Sequence, residues 1–325
     1  MKVFWYGLAL SLVSIVLVVQ VLVGQNLKGD QNAALRYLSA IARLPPITDS
    51  LNRAMDDCLV PEIPEKILPE IRDYLKQGSV IAAMRLLKFG ASCTFCDFCP
   101  DNNGNSDEDM SPPFRKIREL VKIANLFAWQ KFHEGNHKEA FEVFLNVFSL
   151  GQNLEQGQGL IGANISRDLR EIAVRSVKTF FEKDPQSDQR GLGKAFFSKI
   201  PRPAMNVKNP LEVEKKSFAN IIRASKDPSK LANMFCDPPP EEFKEIVELA
   251  KTPEFEKKIQ EGVSLYDEGI NLNPDSPDFE KKLQELITKI QKSPNPLVRA
   301  CLASPERTYK QQQKLQKMID YLLAH

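Results

Sequence analysis

Apolar positions recur at helical spacing along almost the whole chain. From Phe114 to Ala128 apolar side chains return every three or four residues, which places them on one face of a helix. The alternation of apolar and polar residues that marks a half-buried strand is nearly absent. The sequence therefore predicts an all-α fold.

Prolines and glycines interrupt the helical pattern and set the limits of the predicted helices. Pro112 and Pro113 follow Ser111 just ahead of Phe114, where an N-cap and a first-turn proline belong. The other predicted helices cover 31–44, 64–77, 79–89, 137–154, 160–183, 187–200, 211–225, 241–251, 254–271, 278–291 and 305–324.

The N-terminal segment 3–24 is uncharged and almost entirely apolar, and Lys2 precedes it. At about 1.5 Å per residue it forms a helix of about 33 Å, enough to cross a bilayer core. Leu22-Val23-Gly24 is a poor cleavage site for a signal peptide. The segment therefore predicts an uncleaved, single-pass signal anchor that places the rest of the chain outside the cytoplasm. A cleaved signal peptide and a buried core helix are the alternatives.

A proline-rich break divides the remaining chain near residue 205. Pro201, Pro203 and Pro210 lie close together there, between two stretches of helical pattern. The predicted organisation is a transmembrane helix over 1–24, a helical domain over 25–204 and a smaller helical domain over 205–325. The last part is rich in Lys and Glu, which is typical of solvated helix faces.

The overall charge is nearly balanced, with 44 Lys and Arg residues against 42 Asp and Glu residues. A formal net charge of +2 provides no general attraction to nucleic acid or to an acidic membrane surface. We therefore expect no nucleic-acid partner.

Three of the cysteines form a regularly spaced group, Cys93-x-x-Cys96-x-x-Cys99. This spacing opens an iron–sulfur motif, but the fourth position holds Asn103, and Pro100 after Cys99 excludes a haem attachment. Outside the cytosol disulfides are favoured, with a metal site and free thiols as alternatives. The other cysteines are Cys58, Cys236 and Cys301.

His133-Glu134-Gly135-Asn136-His137 has the spacing of a zinc metallopeptidase motif. There two histidines one helical turn apart bind zinc and the glutamate activates water. Gly135-Asn136, however, is a helix-breaking pair at a predicted turn between helices. The sequence favours the turn and keeps the zinc site as the alternative.

Two further motifs match known sites only in part. Gly157-x-Gly159-x-x-Gly162 has the dinucleotide-binding spacing but follows a predicted helix where that motif follows a strand, so we interpret it as a helix junction. Asp101, Asn103 and Asn105 resemble the start of a calcium loop whose later positions do not fit. We interpret this acidic loop as solvated.

The helical pair around Gly135 resembles a tetratricopeptide hairpin. Ala128 precedes the turn glycine, and Ala140, Phe144 and Val147 follow it. In that family a small residue on each helix permits close packing and an aromatic side chain fills the groove. A second fragment, from Tyr266 through Gly269 to Pro274, is similar to the closing half of such a hairpin.

Residues 32–181 also resemble an uncharacterised family of exported bacterial helical proteins. The resemblance depends on Asn32-Ala33-Ala34, on Cys99-Pro100-Asp101 and on the Gly135 turn with Ala140. It implies an exported helical fold and brings no known activity.

Together these patterns predict a membrane-anchored helical protein-interaction module, a scaffold or adaptor with a protein or peptide partner. The zinc metallopeptidase that would use His133, Glu134 and His137 is the alternative function. No catalytic, cofactor-binding or metal-binding residue is assigned from the sequence.

Overall fold

The structure is a computed structural model that describes residues 31–57, 67–98, 113–155, 159–224, 240–302 and 305–325. Within these ranges it is all-α, apart from an isolated bridge between Asn32 and Phe95. The described helices are α1 Ala33–Arg43, α2 Asp49–Asp57, α3 Pro69–Leu75, α4 Gly78–Ala91, α5 Phe114–His133, α6 His137–Leu154, α7 Leu160–Lys183, α8 Gln189–Phe197, α9 Lys208–Ala224, α10 Pro240–Leu249, α11 Phe255–Ile270, α12 Phe279–Gln291, α13 Pro296–Cys301 and α14 Pro305–Ala324.

The predicted all-α fold is confirmed, and most helices begin and end near the predicted residues. The bounds of α6, α7 and α14 agree with the predicted 137–154, 160–183 and 305–324. Helices α2 and α13 were not predicted. In the part of the chain that the structure describes, no helix combines the length and the apolar character needed to span a bilayer. The predicted anchor, 3–24, lies outside the described residues.

The chain forms two compact units that meet in sequence between Asn153 and Leu154. In the first unit the N-terminal end of α1 is tied to the loop after α4. The Asn32 side chain accepts hydrogen bonds from the N–H groups of Ala34 and Asp97, at 3.1 and 2.9 Å, and donates one to the Asp97 carbonyl at 2.7 Å. One buried amide therefore caps the helix and holds the loop, because it uses both its donor and its acceptor.

Helices α1 and α4 pack closely because α4 contributes a glycine at the contact. The Tyr37 ring lies against Gly90, where a Cβ would collide with it. The Tyr37 hydroxyl accepts a hydrogen bond of 2.7 Å from the Asn153 side chain at the end of α6. Burial raises the pKa of Tyr37, so the hydroxyl stays protonated.

Helices α5 and α6 form the hairpin predicted around Gly135. Ala128, Ala140, Phe144 and Val147 are all buried, and the Phe144 ring lies 5.0 Å from that of Trp129. These four side chains therefore belong to the buried face of the hairpin.

The second unit has its own hydrophobic core, to which α7, α9, α11, α12 and α14 contribute. Helix α11 lies close to α9 because Gly262 leaves room for the Phe218 ring. The Tyr309 hydroxyl of α14 donates a 2.8 Å hydrogen bond to the Gly269 carbonyl at the end of α11.

A buried cation links the start of this unit to the segment after α8. Arg170 is fully buried, and its guanidinium donates to Glu155 at 2.7 Å, to Ser166 at 2.9 Å and to the Ala204 carbonyl at 2.6 Å. Burial lowers the pKa of Arg170, and the neighbouring Glu155 opposes that effect. The charge is stabilised because several groups share it.

The division predicted near residue 205 therefore falls within the second unit. The prolines there do break the helical pattern, but Arg170 binds Ala204 and the Gln312 side chain donates to the Met205 carbonyl at 2.6 Å. These contacts hold the break against α7 and α14.

Candidate functional site

The residues of the zinc-like motif form a turn between two helices. Gly135 has a φ of +79°, in the left-handed region that favours glycine. The N–H groups of Gly135 and Asn136 donate to the carbonyls of Phe132 and Lys131, at 3.0 and 2.9 Å. This is the Schellman arrangement that ends a helix, so the predicted turn is confirmed.

The side chains of this turn satisfy one another. The Glu134 carboxylate accepts hydrogen bonds from Gln130 and Lys131, both at 2.9 Å, and the hydrogen bond from Gln130 is the main reason that the pKa of Glu134 is lowered. The His137 ring stacks on that of Phe132 at 4.6 Å, while His133 ends α5 and is exposed. The two histidines therefore do not lie one turn apart on a continuous helix, as zinc peptidases require.

The cysteine group is only partly described, since Cys58, Cys99 and Cys236 lie outside the described residues. Cys93 and Cys96 are not joined to each other by a disulfide. Burial raises the pKa of both thiols, that of Cys96 to about 12. Such thiols are poor nucleophiles at neutral pH because little thiolate is present.

The glycine-rich junction before α7 also has a structural use. The N–H of Leu160, at the first turn of α7, donates to the Glu214 carboxylate at 2.9 Å, and a Cβ on Gly159 would collide with that carboxylate. The position that a phosphate takes in a dinucleotide fold is thus filled by Glu214. Gly157 and the acidic loop with Asp101, Asn103 and Asn105 lie outside the described residues. Among the residues that are described, no three His, Cys, Asp or Glu side chains converge as metal ligands.

One candidate binding feature is a groove between α7 and α14, with a volume of about 540 Å³. Lys314 binds Glu171 at 2.8 Å, and the Lys178 ammonium lies 4.8 Å from the centre of the Tyr321 ring. Both contacts join residues 143 positions apart, so the two helices run side by side in the same direction. The volume is within the usual range of ligand sites. We call this feature the basic groove.

Both rims of the basic groove are positively charged. Helix α7 contributes two cations and α14 contributes three, and the three on α14 recur at helical spacing along one face. They are Arg175 and Lys178 on α7, and Lys310, Lys314 and Lys317 on α14.

The carboxylates around the basic groove do not balance these cations. Glu171 lies within ion-pair distance of Arg175 and Lys314, and also of Arg167, so one carboxylate is shared by three cations. Lys178 and Lys310 pair with neighbours on their own helices, at 3.7 and 2.5 Å. Exposed Lys317 makes no ion pair or hydrogen bond with any residue that the structure describes.

The floor of the basic groove is apolar. Val174 is only 2% exposed, and Met318 and the Tyr321 ring complete the apolar lining. The His325 ring stacks on Tyr321 at 4.3 Å. An apolar floor between two cationic rims suits a ligand that is both apolar and negatively charged.

A second groove, between α11 and α12, has a different character. Its lining contains Asp267, Glu268 and Glu285 together with Lys282 and Lys289. Lys289 binds Glu268 across it at 2.6 Å. This groove carries three carboxylates and two lysines, so its lining is of mixed sign and lacks the uniformly positive rims of the basic groove.

The basic groove was not predicted from the sequence, which led us to interpret the Lys- and Glu-rich helices as solvated. The spacing of Lys310, Lys314 and Lys317 was a visible signal, but it acquires meaning only beside α7. Searches of protein-family models, of curated proteins and of solved structures found no match to this chain. The function is therefore inferred from the residues of the basic groove.

Proposed function

We propose that this protein is a membrane-anchored helical interaction module, a scaffold or adaptor that binds a protein partner outside the cytoplasm. The apolar segment 3–24 would hold it in the membrane. A tetratricopeptide-like hairpin around Gly135 would form part of its helical scaffold, as the burial of Ala128, Ala140 and Phe144 supports.

The observation that carries this proposal is the basic groove, with its apolar floor and its unbalanced charge. A groove between helices is a common docking site for a segment of another protein. The zinc peptidase alternative lacks comparable support, because His133 and His137 belong to different helices and Glu134 is engaged by Gln130 and Lys131.

Site-specific photo-crosslinking in cells tests the binding function. A photoreactive residue in place of Met318 would report on the floor of the basic groove, and one in place of exposed Lys257 on α11 serves as the control. We expect a protein adduct at position 318 that is lost when Lys314→Glu is added, and no such adduct at position 257. Equal adducts at both positions, or an adduct that Lys314→Glu does not weaken, would contradict the proposal.

The predicted location is tested separately. The full chain should remain in the membrane pellet after alkaline carbonate extraction and should be digested by protease added outside the cytoplasmic membrane. Release into the carbonate supernatant would contradict the anchor, and protection from external protease would contradict the orientation.

A further inference from the structure

We propose that the partner segment in the basic groove is an acidic amphipathic α-helix, with apolar residues along one face and carboxylates on both flanks. This inference rests on the proposed function and specifies the chemistry of its binding site. It commits to a protein segment and not to a lipid surface.

The charge of the two rims selects an acidic partner. Lys317 has no carboxylate partner among the described residues, and Arg175 and Lys314 share Glu171. A second carboxylate near these cations would relieve their mutual repulsion and gain a charge-assisted hydrogen bond. Lys317 is therefore the position at which a carboxylate of the partner gains the most binding free energy.

The shape of the basic groove favours a helix over an extended peptide. Its walls are two α-helices, whose backbone groups are already hydrogen-bonded within each helix, so they offer no edge to pair with a strand. An extended segment would lose hydrogen bonds from water without replacement, whereas a helix satisfies its own backbone. The span from Lys310 to Tyr321 corresponds to about 16 Å of helix, or about three turns.

The depth of the apolar floor argues against a membrane surface as the occupant. Val174 is nearly buried and lies between rims that carry long cationic side chains. A bilayer is bound by apolar side chains that protrude beyond their charged neighbours. A rod-shaped partner can reach the floor, while a flat surface would meet only the rims.

The test uses the full chain in neutral phosphatidylcholine nanodiscs and a fluorescein-labelled peptide. The peptide is about 12 residues long, with leucines along one helical face and glutamates on both flanks. A second peptide replaces every glutamate with glutamine and serves as the matched control. Fluorescence anisotropy measures the Kd of each.

We expect the glutamate peptide to bind at least about ten-fold more tightly than the glutamine peptide. Lys317→Glu should weaken its binding by about ten-fold, and Lys257→Glu, another exposed lysine on a helix of the same unit, by less than about two-fold. Raising the salt from about 0.05 M to about 0.5 M should weaken binding as well. Circular dichroism and thermal unfolding serve to check that both variants fold.

Three results would overturn the inference. These are equal affinity for the two peptides, an affinity that Lys317→Glu leaves unchanged, and no binding of the glutamate peptide while short-chain phosphatidylglycerol binds in a Lys317-dependent way. If any of them occurs while crosslinking at position 318 remains charge-dependent, the partner is not an acidic helix but the proposed function stands. If that crosslinking also fails, both proposals fail.

Discussion

Two groups of positive charge in the second unit differ in how they are compensated. Around Arg170 a carboxylate, a hydroxyl and a backbone carbonyl accept from one buried guanidinium. In the basic groove five exposed cations share too few carboxylates, and Lys317 has none within the described part of the chain. The comparison separates a charge that stabilises the fold from a charge that is available to a ligand. The position of a charged residue in the sequence does not reveal which kind it is.

The largest expected effect comes from removing the Arg170 guanidinium, whose charge is compensated within the fold. Arg170→Met should lower the free energy of unfolding by about 3 kcal/mol, because it leaves Glu155 and the Ala204 carbonyl without their partner. Urea denaturation followed by circular dichroism measures the change. The control is Arg175→Met, the same substitution at an exposed rim position, which should cost less than about 1 kcal/mol. Equal losses would show that the two groups do not differ.

A smaller effect is expected for a neutral buried group. Tyr309→Phe removes the hydroxyl that donates to the Gly269 carbonyl, so we expect a loss of about 1.5 kcal/mol in the free energy of unfolding. Burial raises the pKa of Tyr309 to about 12, which a spectrophotometric titration of the hydroxyl can check. Tyr321→Phe, in the basic groove, should change the stability by less than about 0.5 kcal/mol. A loss for Tyr321→Phe as large as that for Tyr309→Phe would contradict the comparison.

Charge reversal at Lys317 should leave the stability of the fold almost unchanged. Lys317→Glu should change the free energy of unfolding by no more than about 0.5 kcal/mol, since the side chain is exposed and its replacement relieves repulsion within α14. Lys257→Glu provides the matched control for thermal unfolding. A loss above about 1.5 kcal/mol at Lys317 alone would assign that lysine a structural role.

The smallest effect on stability is expected for Arg223 and Glu256, an exposed ion pair in which each charge has its partner. Arg223 donates to both carboxylate oxygens of Glu256, and this holds the pKa of Glu256 at about 2. The pair's contribution is therefore present above the usual pKa of about 4.3 and is lost as the pH falls towards 2. Solvent screens the contribution, so we expect a clear shift in the carboxyl titration and little change in stability. Arg223→Gln should raise the pKa of Glu256 towards its usual value in a carbon-detected NMR titration, and an unchanged titration would contradict the pairing.

Local features of the fold could be predicted from the sequence because their causes are local. The Gly135-Asn136 pair indicated the turn, and Gly135 indeed supplies the left-handed conformation that ends α5. Periodicity likewise placed α6 and α7 at their observed bounds. The absence of strands among the described residues followed from the same pattern.

Two short helices were missed because they have too few apolar residues for a periodic signal. Helix α2 buries Ala54 and Met55 and is held by Lys122, whose ammonium lies 2.6 Å from Asp56. At α13 a signal was present, since Asn295 caps the helix and Pro296 occupies its first turn. We interpreted these prolines only as separators.

The basic groove could not be predicted because it depends on contacts between distant segments. Nothing in α14 alone indicates that its row of lysines faces α7, or that Glu171 lies among them. The zinc-like motif presents the opposite case, because residues adjacent in the sequence suggested a zinc site. There Glu134 and His137 are used by the turn itself.

The parallel arrangement of α7 and α14 has a consequence for timing. Lys314 is synthesised 143 residues after Glu171, so the second wall of the basic groove does not exist until long after the first has been made. Contacts of such separation also form slowly, because a long stretch of chain must be ordered first. A nascent or truncated chain without α14 would consequently not bind the proposed partner. Only molecules in which the second unit has folded completely would thus bind the partner.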